Sequence, residues 1–229
     1  MPIILSLETS TKTCSVALHQ EGKLISEQNL HLENSHSSVI SPMIQQTLEN
    51  VGIAMSHVDA IAVSQGPGSY TGLRIGVSTA KGIAYALGIP LIGVSSLHAM
   101  SLEVIKHTKK TNIYPMIDAR RMEVYTMQLD STGAILREPY ALILDENTFD
   151  NQQVVLFGNG SDKCVDLFKE KPNVEIIPGI TPSAKNIGAL AMEKFNANDF
   201  ENLAEFEPFY LKAFYSPKAK NPLQSAKGK

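Results

Sequence analysis

Ala60–Pro90, AIAVSQGPGSYTGLRIGVSTAKGIAYALGIP, decides the fold. Ala60–Val63 is an apolar run short enough for a buried strand. Gln65-Gly66-Pro67-Gly68 ends it, because glycine beside proline marks a tight turn. Ser69 or Thr71 then offers an N-cap for a helix that runs to about Leu87, with Gly88 as its natural stop. Pro90 opens the next strand, so strand, glycine turn, helix and strand make a βαβ unit.

The helix carries two apolar stripes. Leu73, Val77, Ala80, Ala84 and Leu87 form one, and Ile75, Ile83 and Ala86 the other, with Gly72, Gly76, Ser78 and Gly82 between them. A surface helix needs a single stripe. Two predict contact on two sides: one against a sheet, the other against a further helix or another protein. The glycines resemble an anion loop, but no lysine completes a Walker pattern, and Gly72 falls one position late for G-x-G-x-x-G. The better reading is a tight turn with close packing. Gly68 or Gly72 is therefore expected to need a positive φ, or to sit where a Cβ would clash.

Outward from this unit, the chain repeats itself. Ile3–Glu8, Cys14–His19 and Lys23–Leu30 are strands joined by short turns, which implies an antiparallel meander. A helix follows within 32–51, with Asn34 or Ser35 as N-cap. Pro42 either kinks it or, with Ser41 as cap, begins it. Leu91–Val94 and a helix from Ser96 to His107 close the first half. Ile113–Asp118, Met122–Leu129 and Ala134–Leu144 repeat the meander. Strand Val154–Phe157, helix Asp162–Glu170, strand Val174–Ile177 and helix Ser183–Phe195 follow. Two such halves predict an α/β fold of the actin kind, a duplicated ribonuclease-H-like unit with two lobes. The expected division is an N-terminal lobe at 1–110, a C-terminal lobe at 111–215 and a flexible tail at 216–229. RNA contact through the tail's four lysines is the weaker reading of that segment.

The 229 residues, 43% apolar, suffice for a proper core, and a net charge of −3 argues against a free-standing nucleic-acid binder. Two distant cysteines, Cys14 and Cys164, suit a reducing compartment with no disulfide framework, and Cys14, in a strand, reads as packing. No basic leader opens the sequence and no apolar run approaches a membrane span, so a cytoplasmic protein is expected.

Three motifs carry a family resemblance: Ser35-His36-Ser37 leading into Pro42-Met43-Ile44; Gly66-Pro67-Gly68-Ser69-Tyr70-Thr71-Gly72-Leu73-Arg74-Ile75-Gly76 with Ala80-Lys81-Gly82; and Asp118-Ala119-Arg120-Arg121 with Glu123-Val124-Tyr125. Together they resemble the YeaZ-type TsaB family over Ile3 to about Tyr215. The resemblance implies an actin-like fold and a cytoplasmic bacterial complex with the catalytic subunit TsaD and the ATPase TsaE. That complex moves a threonylcarbamoyl group from its adenylate to the adenosine beside the tRNA anticodon. It implies a non-catalytic scaffold with no cofactor, meeting tRNA only within the complex and no membrane. The alternative is a stand-alone ATP- or metal-dependent enzyme of the glycoprotease-like kind.

The residues favour the scaffold. Catalytic relatives hold a metal with a helical H-x-x-x-H; here His36 is followed four residues on by Ile40, which cannot ligate. His36 therefore reads as a cap or interface residue. Actin-like folds grip phosphates with two hairpin turns. Glu8-Thr9-Ser10-Thr11 is a plausible first turn, whereas Asp118-Ala119-Arg120-Arg121 has arginines where glycines would stand. Glu8 and Asp118 could form a carboxylate pair for phosphoryl transfer; the reading preferred is strand-end residues, with Asp118 paired to an arginine. The partner face is assigned to His36, Val39, Ile40, Met43, Leu73, Arg74, Val77, Ala80 and Lys81. Val39, Met43, Leu73 and Val77 are expected to be partly exposed in the lone lobe. They would join matching helices of TsaD, or of a second copy in a homodimer, in a four-helix arrangement.

Overall fold

The computed structural model describes residues 1–31, 36–110 and 112–212. The first sheet holds β1 (Ile3–Glu8), β2 (Thr13–Gln20), β3 (Lys23–His31), β4 (Ala60–Gly66) and β5 (Leu91–Ser95) in the order β3-β2-β1-β4-β5. The second holds β6 (Ile113–Asp118), β7 (Glu123–Leu129), β8 (Ile135–Ile143), β9 (Val154–Phe157) and β10 (Val174–Ile177) in the order β10-β9-β6-β7-β8. Read from its other edge, the second order repeats the first. Each sheet has an antiparallel meander, because short turns allow nothing else, and parallel strands reached by helical crossovers, except that β9 is reached from β8 through turns alone. The duplication expected from the sequence is therefore present strand for strand.

Among the described residues five helices cover these sheets: α1 (His36–Glu49), α2 (Tyr70–Leu87), α3 (Ser96–Ile105), α4 (Cys164–Phe168) and α5 (Ala184–Asn196). The alternation of side chains along β1 and β2 sends Leu5, Leu7, Val16 and Leu18 towards α1 and α2. On the opposite face, Ile4, Ala60 and Ala62 meet Ala99 of α3 and Ile187 and Ala191 of α5. α3 also gives Leu97, Met100 and Val104 to the second sheet. The two helices thus form a layer between the sheets. Sequence position 110 separates the sheets but not the layers, since α5 packs on the first sheet and residues 199–212 return to it.

Local differences have local causes. α1 continues through Pro42, whose ring lies on the exposed side. Its expected caps, Asn34 and Ser35, and the tail at 216–229 lie outside the described residues. α4 is shorter than 162–170, because residues up to Lys163 form tight turns ahead of it. A 3-10 turn at Met55–His57, not anticipated, leads into β4.

Candidate functional site

The glycine turn and the first hairpin turn are built as one unit. Ser69 caps α2 by accepting a hydrogen bond from the Gly72 amide (3.3 Å), and Gly88 ends the helix at φ 66°. A Cβ on Gly68 would strike the Ser10 carbonyl, one on Gly72 the Thr9 carbonyl and one on Gly76 the Thr9 hydroxyl. Gly68 and Gly72 are therefore required by close approach; the positive φ of this turn falls on Gly66, at 115°. Thr9 returns the contact, its hydroxyl donating to the Gly72 carbonyl (2.8 Å), while the Ser69 amide donates to the Ser10 carbonyl (2.7 Å).

Such packing leaves this turn little to offer a phosphate. The Ser10 amide donates to Oε1 of Glu8 (2.5 Å) and the Thr9 amide to the Ser64 hydroxyl (3.4 Å). Glu8 is fully buried and burial pushes its carboxyl above the usual range. Its Oε2 has no partner among the described residues. Asp118, by contrast, is exposed, and its ion pair among the described residues is with Lys163 and not with an arginine side chain; Arg120 and Arg121 adopt left-handed backbone (φ 71° and 50°) and stand exposed. The two carboxylates do not make a matched pair. A cavity of about 310 Å³ between the halves is lined by Thr11, Lys12, Thr13, His31, Asn159 and Thr181, and neither Glu8 nor Asp118 lines it.

The second hairpin turn is bolted in place. The Arg120 amide donates to Oδ1 of Asp118 (2.9 Å), the Ala119 amide to the Glu123 carbonyl (3.1 Å) and the Glu123 amide to the Arg120 carbonyl (3.2 Å). Lys163 Nζ also reaches the carbonyls of Arg121 (2.6 Å) and Glu123 (3.0 Å). These bonds hold two non-glycine residues in a region that costs each of order 1 kcal/mol.

The expected partner face is only partly at the surface. Ile40, Met43, Leu73, Val77 and Ala80 are buried core, Leu73 at 0% and Val77 at 4% exposure. Only Val39, half-buried, fits the expectation. The stripe carrying Gly72 and Gly76 is the one that must approach the first turn closely, so it faces inward. Ile75 and Ile83 remain half-buried on the outer side of α2, beside exposed Ala86 and Tyr85, the latter 81% exposed. His36 is not at the surface: it is buried, with Nε2 3.3 Å from the Thr13 carbonyl, tying α1 to β2.

Arg74 and Lys81 fasten a segment that sequence periodicity did not reveal. Residues 199–212 strap across the first lobe. Arg74 stacks on Tyr70 (4.3 Å) and donates to the Tyr210 hydroxyl (3.3 Å), with the two tyrosine rings 4.6 Å apart. Lys81 donates to the carbonyls of Ala204 (3.3 Å) and Phe206 (2.9 Å). Phe206 is buried in the first core, and the Phe209 amide donates to Gln65 (2.7 Å). The aromatic run Phe206, Phe209, Tyr210 was the available signal.

Comparison with known proteins fits this architecture. The family model described as TsaD, tRNA N6-adenosine threonylcarbamoyltransferase, matches residues 29–221. The Escherichia coli tRNA threonylcarbamoyladenosine biosynthesis protein TsaB is 33% identical over 224 residues, 91% of this chain and 94% of its own. The chain is a TsaB-type member of the TsaD family. The Bacillus subtilis TsaB protein is 40% identical over 144 residues, 63% of this chain and 61% of its own. YeaZ from Pseudomonas aeruginosa superposes with a TM-score of 0.78 at 29% identity, over 92% of this chain and 100% of that one. An activator of 2-hydroxyisocaproyl-CoA dehydratase from Clostridium difficile, solved with bound ADPNP, shares the actin-like fold alone: its TM-score is 0.52 at 11% identity, over 87% of this chain and 98% of that one.

In this TsaB-type chain, no group of three or more His, Cys, Asp or Glu among the described residues could hold a metal ion. Burial pushes the Cys14 and Cys164 thiols up to about 11 and 12, which leaves neither as a thiolate near neutral pH. No described helix is long and apolar enough to cross a membrane.

Proposed function

We propose that this chain is a non-catalytic scaffold subunit, cytoplasmic, that assembles with TsaD-type and TsaE-type subunits to form threonylcarbamoyladenosine on tRNA beside the anticodon. The observation that carries the reading is the outer face of α2. Its inner stripe is consumed by the core, yet Ile75 and Ile83, packed against that core, stay half-exposed, Tyr85 on the other flank is exposed, and Val39 of α1 is half-exposed too. Four residues of this kind on two neighbouring helices suit a partner with two similar helices. A TsaD-type subunit meets that need, since a threonylcarbamoyltransferase from Geotalea uraniireducens is 32% identical over 118 residues, 44% of this chain and 34% of its own. A four-helix contact of this sort reaches the usual ~1,600 Å² of a stable interface. The engaged Thr9 and Ser10 amides support an inert first turn, because the donors a phosphate needs are already used.

Ile83→Glu tests the face. The carboxylate remains hydrated in the free chain and is desolvated without a partner charge in the complex, a cost of several kcal/mol. The variant is expected to fold, by circular dichroism, and to lose co-sedimentation with the TsaD-type subunit. Wild-type association by folded Ile83→Glu protein would move the interface elsewhere, and self-association alone would make the face a homodimer contact. ATP turnover by the pure chain near ~1 s⁻¹, the low end for enzymes, would sink the scaffold reading.

A further inference from the structure

The β6–β7 hairpin turn is built at a cost that its own packing does not explain. Arg120 and Arg121 both hold positive φ, a conformation glycine would adopt freely. The bonds to Asp118 Oδ1, to the Glu123 amide and carbonyl, and from Lys163 fix the turn rigidly. Both arginines are exposed, and among the described residues neither guanidinium has a hydrogen-bond or ion-pair partner. The carboxylates beside them are already occupied: Asp118 by Lys163, and Glu123 by Lys212 at 2.5 Å. The lysines thus neutralise the local acids and leave the two arginines as uncompensated charge.

We infer that this turn is a contact for the RNA phosphate backbone, with Arg120 and Arg121 as paired forks on phosphate oxygens. The inference rests on the tRNA-modification reading above, because an RNA substrate is what makes a polyanion available. A guanidinium matches phosphate geometry with two parallel donors, and a turn locked in advance loses little freedom when it binds. A nucleotide is a poorer match, since neither arginine lines the 310 Å³ cavity between the halves. The chain's net charge of −3 gives no broad attractive field, so a contact of this kind is local, positioning RNA already held by the assembly. Tolerated strain at an exposed tip is the sign that stability has been exchanged for binding.

That exchange gives the test its signature. Unmodified tRNA transcript is titrated into the complex reconstituted with TsaD-type and TsaE-type subunits, at several salt concentrations. Arg120→Gly/Arg121→Gly is expected to weaken tRNA binding roughly 5- to 20-fold and to lower the salt slope by about one to two. The same variant should melt about 2–4 °C higher, because glycine relieves the left-handed strain. Arg120→Lys/Arg121→Lys should keep most of the salt slope. Unchanged affinity and slope in the glycine variant overturn the proposal, as does loss of subunit association in its place, which would make the turn a protein contact. Should wild-type chain fail to join the TsaD-type subunit, the functional reading falls separately. The titration on the chain alone then decides the RNA contact: a lower slope in the glycine variant supports it, and equal slopes overturn it.

Discussion

The turn after β1 and the turn after β6 occupy the same place in two copies of one topology, and they have opposite fates. Thr9 and Ser10 are wholly buried, while Asp118, Arg120, Arg121 and Met122 are exposed. The difference lies in what is laid against each. α2 has 18 residues and presents Gly72 and Gly76 across its first turns, with Gly68 just ahead of its cap, so its backbone closes onto the first hairpin. α4 has only five residues, and its preceding glycines, Gly158 and Gly160, press on the end of β6, at Met116 and Ile117. The strand order fixes where a hairpin turn stands, and the neighbouring helix decides whether it becomes core or surface.

The largest test of that contrast is Val77→Glu. Val77 is 4% exposed on the face that holds the first turn, so an unpaired carboxylate there is expected to cost ~3–5 kcal/mol, the cost of a buried uncompensated charge. Loss of folding should appear in circular dichroism and in the denaturation midpoint. A folded variant of normal midpoint would mean that α2 is turned the other way.

Gly72→Ala is a smaller insult to the same contact. The new methyl meets the Thr9 carbonyl, and overpacking against backbone costs about 1–3 kcal/mol. Gly82→Ala, on the same helix with nothing within 4 Å of the added carbon, should instead stabilise by up to about 1 kcal/mol through helix propensity. Equal effects from the two, read as denaturant midpoints, would remove the special status of the first turn.

The sequence made the fold legible because its signals are local: turns too short for crossovers, and a strand-glycine-helix unit whose ends are marked by Ser69 and Gly88. It also made two stripes on α2 legible, but a helical period does not say which stripe is inside. Gly72 and Gly76 held the answer, since small residues flush with Leu73 and Val77 mark the side of closest approach. The contacts that Arg74 and Lys81 make within the chain were hidden for a different reason. Their partners lie some 130 residues later, in a strap with no periodicity, where Arg74 meets Tyr210 and Lys81 meets Phe206. Nor does a sequence show that Glu8 occupies the amide of its own turn.

Glu8 and Asp118 end matching strands, and the buried one should make stability depend on pH. Burial raises the Glu8 carboxyl above its unfolded value of 4.5, so the folded chain holds that proton more tightly. The associated stability is complete below about pH 4.5 and is lost as pH rises through the folded value. Glu8→Gln keeps an oxygen for the Ser10 amide and cannot ionise. The difference between wild-type and variant midpoints should therefore grow in the variant's favour as pH rises from 4 to 8, as read by guanidinium titration at each pH. A flat difference for Glu8→Gln would mean that water reaches this carboxyl in solution.

The smallest expected effects separate two lysines at the second turn. The Lys212 side chain is 48% exposed and makes one ion pair, to Glu123. Such surface pairs contribute about 0–1 kcal/mol and fade with salt. Lys163 is 18% exposed and bonds Asp118 together with the carbonyls of Arg121 and Glu123. Its ammonium does more than pair a charge: it satisfies carbonyls of a backbone that strain would otherwise open. Hydrogen bonds from a charged group contribute about 1.5–3 kcal/mol in favourable cases, and exposure of this turn places Lys163→Met at the low end. Lys212→Met should therefore shift the midpoint by less than Lys163→Met, and its shift should vanish first as salt is raised. Amide exchange at Arg120 to Glu123 should speed up in Lys163→Met alone. Equal exchange in both variants would show that the main-chain bonds of Ala119 and Glu123 hold the arginines in place without the lysine.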